Sequence, residues 1–113
     1  MITLLKPPLL EKPEGHTQRL VLYVCDSFDM KFSFRQFIRE LGAELIDGGT
    51  LRVELPEELP CEDFVHGLAM WGTREFRLYY ERSLGYLQFE SLRAADLQVM
   101  AAMLERSAKV VST

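Results

Sequence analysis

The sequence lacks the features that mark secreted and membrane-spanning proteins. It has only two cysteines, Cys25 and Cys61, and no apolar run that reaches the roughly 18 to 20 residues needed to cross a bilayer. The apolar N-terminal stretch has no basic lead-in and is interrupted by Pro7-Pro8, so it does not fit a secretory signal. These absences predict a cytoplasmic protein with no membrane segment, in which both cysteines are free thiols.

An excess of basic residues is also absent. The chain has 13 Lys and Arg against 17 Asp and Glu, which gives a net charge of −4. Nucleic acids and anionic membranes attract proteins through basic surfaces, so this balance argues against both as partners. Hydrophobic residues make up 48% of the chain, which is enough to form a buried core.

The apolar pattern predicts one α+β domain over residues 19–113, preceded by a Pro-rich arm or edge strand over residues 1–18. Within residues 19–25, the run from Leu20 to Cys25 is continuously apolar, which is typical of a central strand that is covered on both faces. Ser33 is a typical helix N-cap, and the apolar residues that follow it recur at helical spacing. They are Phe34, Phe37, Ile38, Leu41 and Leu45.

The middle of the chain predicts a hairpin and a second helix. Residues 44–55 fit a hairpin, because Asp47-Gly48-Gly49 supplies the positive φ angles of a tight turn. Residues 60–72 fit a helix that starts near Pro60 and stops at Gly72. Its expected apolar face consists of Phe64, Val65, Leu68 and Trp71.

The last third of the chain predicts a second hairpin over residues 74–90 and a final helix capped by Ser91. Residues 109–113 are expected to fray. The expected stripe of the final helix is Leu92, Ala95, Val99, Ala102 and Met103, with Leu104 beside it. Together these elements predict a mixed or antiparallel sheet with helices on one face. Their order is the ferredoxin-like βαββαβ, with an extra strand and a C-terminal helix.

The second predicted hairpin defines a candidate partner-binding surface. If Phe76 faces the core, strand alternation places Arg77, Tyr79 and Tyr86 on the opposite face. Tyrosine and arginine are enriched among the residues that anchor protein interfaces. We therefore predict that these three side chains bind a protein partner, unless the final helix covers them.

Two other segments are candidates for the same role. Leu9 and Leu10 are apolar residues in a Pro-rich arm, so they need a surface to cover. Glu57 and Glu58 belong to an acidic run that could steer a basic protein toward the chain. The run consists of Glu54, Glu57, Glu58, Glu62 and Asp63.

A different reading starts from the loop after the first long strand. Asp26 and Asp29 in this loop, with the later Asp47-Gly48-Gly49, resemble in outline the catalytic domains of diguanylate cyclases. That resemblance implies acidic residues that hold metal and nucleotide phosphates. The two acidic residues that should follow the glycines are missing, so the sequence favours ordinary loop and turn roles here. We predict no catalytic residue, no cofactor and no metal site.

Two functions remain open at this point. The first is a small binding or regulatory module that acts through protein contacts, either as a homodimer or as an acidic inhibitor of a basic partner. The alternative is a small-molecule-binding domain or small enzyme with a pocket near Asp26, Asp29 and Cys25. A broad exposed apolar patch would favour the first, and a well-formed polar pocket the second. The sequence favours the binding module over an enzyme.

Overall fold

The computed structural model describes residues 2–12, 17–60 and 62–111, and every structural statement below concerns those residues. Strands and helices alternate unevenly along the chain. In order, the elements are β1 (Thr3–Leu4), β2 (Leu9–Glu11), β3 (Gln18–Tyr23), α1 (Phe34–Glu44), a 3-10 turn (Ile46–Gly48), β4 (Leu51–Glu54), β5 (Phe64–Trp71), β6 (Arg74–Glu81), β7 (Tyr86–Ser91), α2 (Ala94–Ser107) and β8 (Lys109–Val110).

The main sheet is antiparallel and has six strands in the order β2-β3-β7-β6-β5-β4. A small parallel sheet pairs β1 with β8. The predicted α+β class is therefore confirmed. The long apolar strand β3 lies inside the main sheet, and Leu20, Val21 and Leu22 are all buried, as its continuous apolar run predicts.

Both helices pack against the same face of the main sheet. The Ser33 side chain accepts a hydrogen bond from the Gln36 backbone N–H at 3.2 Å and so caps α1 as predicted. The buried residues of α1, including Phe37, join one hydrophobic core with Leu20 and Leu22 of β3. The apolar side of α2 joins the same core, so neither of the two helices in the described residues lies on the other face of the sheet.

The predicted helix over residues 60–72 is wrong, because this segment forms β5. Val65, Ala69 and Trp71 are buried, whereas His66, Leu68 and Met70 face outward, which is the two-residue period of a strand. The ferredoxin-like order is therefore not observed, because the second helix that it requires is a strand. Gly67 suits a crowded strand, since a Cβ there would lie 2.6 Å from the Glu54 carbonyl oxygen.

The predicted hairpin over residues 44–55 is also wrong. Asp47 and Gly48 lie in the 3-10 turn that follows α1, and β4 pairs with β5 instead. The reason is the buried Trp71 side chain, whose Nε1 donates to the Leu45 carbonyl at 2.9 Å. A Cβ on Gly48 would lie 2.1 Å from the Trp71 ring, so this glycine provides space for the ring.

The second predicted hairpin is confirmed as β6 and β7, but the final helix differs from the prediction. It begins at Ala94, and Ser91 ends β7 while its Oγ accepts from the Arg93 backbone N–H at 3.0 Å. The 3.6-residue period fits a second stripe in this segment, and that stripe is the buried one, while Leu92 is 90% exposed. The buried residues are Leu97, Met100, Ala101 and Leu104. Residues 109–110 do not fray but form β8.

Candidate functional site

The face of the main sheet opposite the helices, here called the open face, is the candidate functional site. Side chains alternate along each strand, so the cross-strand register assigns its members directly. They are Leu9 and Glu11 of β2; Arg19, Val21 and Tyr23 of β3; Tyr86, Gln88 and Glu90 of β7; Glu75, Arg77, Tyr79 and Glu81 of β6; Phe64, His66, Leu68 and Met70 of β5; and Arg52 and Glu54 of β4.

A band of rings crosses the open face over four strands. The His66 and Tyr79 rings are 4.6 Å apart, the Tyr79 and Tyr86 rings 6.0 Å, and the Tyr86 and Tyr23 rings 6.2 Å. The Lys6 ammonium lies 4.6 Å from the centre of the Tyr23 ring and ends the band. Rings at these separations attract one another, so the band is a fixed surface rather than a set of independent side chains.

The outward residues of β5 make the open face apolar at one side. Phe64 is 65% exposed, Leu68 is 53% exposed and Met70 is 37% exposed. With His66, they occupy every second position of β5 and form one outward line. Leu9 of β2 is a further exposed apolar side chain on the same face. Exposed apolar side chains that lie together on one face are typical of surfaces that bind another molecule.

A row of alternating charge crosses the same face. The register aligns Glu11 with Arg19, Arg19 with Glu90, and Glu90 with Arg77. Leu68 and Glu54 continue the row to the far edge strand. The Arg19 guanidinium lies 3.5 Å from the Glu11 carboxylate, so opposite charges on neighbouring strands already compensate each other within the chain.

Comparison of the chain with protein-family models, with curated proteins and with solved structures finds no match.

Hydrogen bonds hold the Tyr79 side chain in place on the open face. Its hydroxyl donates to Glu81 Oε1 at 2.5 Å, and the Ser83 hydroxyl donates to Glu81 Oε2 at 2.6 Å. The hydrogen bond to the Glu81 carboxylate, together with burial, raises the pKa of Tyr79 to about 12. The hydrogen bonds from Ser83 and Tyr79 lower the pKa of Glu81, so the carboxylate stays ionised at neutral pH.

The predicted partner-binding residues fall on three different surfaces. Arg77, Tyr79 and Tyr86 lie on the open face, which no part of α2 covers, and Leu9 lies there too. Leu10 does not, because it pairs with Leu20 and therefore points to the side that carries the helices. Their role in binding remains a prediction.

Glu57 and Glu58 are exposed on the loop between β4 and β5. The acidic run around them is not one free surface, because Glu62 is buried in an ion pair with Arg35 of α1, with N–O distances of 2.7 and 3.1 Å. Arg35 also donates to the Pro56 carbonyl at 2.7 Å, which ties this loop to the helical side of the sheet. The acidic loop and the open face are therefore separate candidates.

The loop near Cys25 carries Asp26 and Asp29 and begins where the end of β3 leaves the sheet. Asp29 Oδ1 accepts from the Lys31 backbone N–H at 3.0 Å, which is a turn-stabilising role. Cys25 is a buried free thiol, and burial raises its pKa, which disfavours the reactive thiolate. The buried Tyr80 hydroxyl beside it has no conventional hydrogen-bond partner among the described residues. Cys61 lies outside those residues.

The structure has a cavity of about 630 Å³ at the other end of the sheet from this loop. Its walls include the turn between β5 and β6 and the start of α2, and Leu68, Arg77 and Glu90 of the open face also line it. Within residues 2–12, 17–60 and 62–111, no group of three His, Cys, Asp or Glu is placed to hold a metal ion. In the same ranges, no helix is both long and apolar enough to cross a membrane.

Sequence reasoning missed the outward side chains of β5, because Phe64 and Leu68 were assigned to the buried face of a helix. The signal that could have found them is the alternation of Val65, Ala69 and Trp71 in the same segment. Val65, Ala69 and Trp71 are separated by four and two residues, which is the spacing of one face of a strand. This pattern fits a strand as well as the predicted apolar face fits a helix.

Proposed function

We propose that this chain is a small cytoplasmic binding module that acts through protein contacts made by the open face. The observation that carries the proposal is the exposure of Phe64, Leu68 and Met70 in one line on a sheet face that no helix covers. Placing such side chains in water is unfavourable, and a partner that covers them gains about 25 cal/mol for each Å² of apolar surface removed from water.

The centre of the open face supports the same function. Tyr79 and Tyr86 present rings with a polar tip beside Arg77, which is the composition of interface anchors. Tyr79 is held by Glu81 and by its neighbouring rings, so little side-chain freedom is lost when a partner binds. The inert, buried thiol of Cys25 supports contact rather than catalysis, and it fits the proposed cytoplasmic location.

Site-specific photo-cross-linking tests this function in the cells that make the protein. A photoreactive benzoylphenylalanine replaces Leu68 on the open face, and in a matched control it replaces Gln98, which is exposed on α2. We expect a discrete protein adduct from position 68 and none from position 98. Equal adducts from both positions, or none from position 68, would refute the open face as the contact surface.

A further inference from the structure

We infer that the partner of the open face is a second copy of this chain, bound face to face across a two-fold axis that runs parallel to the strands between β6 and β7. This inference rests on the proposed function and names its partner. Its evidence is the charge pattern, the apolar pattern and the size of the open face, which agree on one arrangement.

The charge row makes the open face complementary to itself. A two-fold axis that runs between two neighbouring strands places the charge row of one copy on the charge row of the other, in the opposite direction. Because the charges alternate along the row, opposite charges then face each other. With the axis between β6 and β7, Arg77 of each copy faces Glu90 of the other. The pair therefore occurs twice, near the axis, where the two sheets stay closest even if their strands cross at about 30°.

The same axis also covers the apolar side of the face. The sheet order places β3 and β5 at equal distances from the midline between β7 and β6. The two-fold axis therefore lays β5 of one copy on β3 of the other. Phe64 then meets Tyr23, because those two residues share a row of the register. Leu68 meets the aliphatic stem of Arg19.

The Glu11 and Glu54 carboxylates face each other in this arrangement only at the outer corners of the sheet. The corners diverge when the sheets cross, and Glu11 is already paired with Arg19. Like charges at an exposed rim cost little, because water and salt screen them.

The size of the open face fits a weak, concentration-dependent dimer. Strands are about 4.8 Å apart and rise about 3.4 Å per residue, so the roughly 35 residues of the six strands cover roughly 570 Å² on each copy. If each face is treated as flat, two copies bury roughly 1,100 Å² in total, which is close to the lower limit of about 1,200 Å² for stable interfaces. An axis near an edge would bury still less area, so the size of the face favours an axis at the centre of the sheet.

The test of this arrangement reverses the charge of Arg77 in one variant and of Glu90 in another, and then mixes the two variants. Sedimentation equilibrium of the full chain, from low micromolar to near-millimolar concentration, compares the wild type with Arg77→Glu, with Glu90→Arg, and with an equimolar mixture of the two variants. Arg39→Glu on the exposed side of α1 is the matched control for Arg77→Glu, because it makes the same change of charge. Far-ultraviolet circular dichroism of each variant confirms that it is folded.

We expect a wild-type dimer, a dimer of the Arg39→Glu control, and dissociation constants raised more than about tenfold in each single variant, since each reversal creates two like-charge pairs. The mixture should recover the dimer. Arg77 and Glu90 are also neighbours within one chain, but mixing leaves those intrachain pairs unchanged, so recovery reports contact between copies alone.

Two outcomes would overturn the inference. They are a wild-type chain that is monomeric at every concentration, and a dimer that the single variants or their mixture do not alter as expected. The cross-linking result separates these from a failure of the proposed function. An adduct at position 68 with a different protein leaves the open face as a binding surface and removes only the second copy as its partner.

Discussion

The Arg82 side chain offers the strongest test of how the loop near Cys25 is held. Arg82 is only 6% exposed, and its guanidinium donates to three backbone carbonyls. Nε reaches the Glu62 oxygen at 3.1 Å, and Nη1 reaches the Phe32 oxygen at 3.2 Å and the Asp29 oxygen. One side chain therefore connects the end of β6 to the loop after β3 and to the start of β5.

We predict that Arg82→Met destabilises the protein by about 3 to 5 kcal/mol. Methionine fills similar space but leaves three carbonyl oxygens without their charged donor, and hydrogen bonds to charged groups each contribute about 1.5 to 3 kcal/mol. The sum is reduced because the substitution also removes the cost of burying a charge, and because water reaches some of the vacated carbonyls. Arg82→Lys should fall between the wild type and Arg82→Met, because its single nitrogen cannot reach all three oxygens.

Urea unfolding measures this effect. With a slope of about 1 to 3 kcal/mol per molar urea, the midpoint for Arg82→Met should fall by more than about 1 M. Arg39→Met on the surface of α1 is the control and should change stability by no more than about 0.5 kcal/mol. A loss below about 1 kcal/mol for Arg82→Met would show that these hydrogen bonds do not hold the loop, and the reasoning would be refuted.

Three further predictions concern single residues. Phe37→Ala should destabilise the protein by about 3 to 5 kcal/mol in a denaturant melt, because the ring is buried in the core, and a loss below about 1 kcal/mol would contradict this. An absorbance titration should find a tyrosine that ionises near pH 12, and Glu81→Gln should return it toward the ordinary value of about 10 if it is Tyr79. Because folding raises this pKa, its stabilisation is present below pH 10 and is lost as the pH rises from 10 to 12. Cys25 should resist alkylation in the native protein and react after unfolding, and rapid native labelling would refute its burial.

The sequence predicted the elements whose two faces have contrasting composition. The cap at Ser33 and the apolar stripe through Phe37 fit only a helix. Strand β6 alternates buried Leu78 with exposed Arg77 and half-buried Tyr79, which fits only a strand. Strand β3 was predicted from the opposite feature, an apolar run without alternation that indicates a strand covered on both faces. The position of Arg77, Tyr79 and Tyr86 followed from alternation alone.

The prediction failed at β5 for a physical reason that bears on function. Its core side carries Val65, Ala69 and Trp71, and its outer side carries Leu68 and Met70. With apolar residues on both sides, the alternation is lost and the helical period fits equally well. A strand with an apolar outer side breaks the usual pattern of a half-exposed sheet, and such departures are expected at functional surfaces.

The loops could not be predicted because their contacts are made by residues distant in sequence. Gly48 looked like a turn residue, but the ring of Trp71 determines its position. The link from Arg35 to Glu62 likewise joins a helix to a loop far along the chain, and no local pattern encodes that pairing.

The pairing of β1 with β8 has a consequence for how the protein is made. Ile2 and Leu4 are almost fully buried, and the Ile2 and Leu4 carbonyls accept hydrogen bonds from Lys109 and Val111. On a translating ribosome, Ile2 and Leu4 are synthesised long before Lys109 and Val111, their hydrogen-bonded neighbours. Closing a loop that spans nearly the whole chain is entropically costly and slow. The N-terminal strand must therefore wait, with its apolar side chains accessible to chaperones, until synthesis has passed Val111.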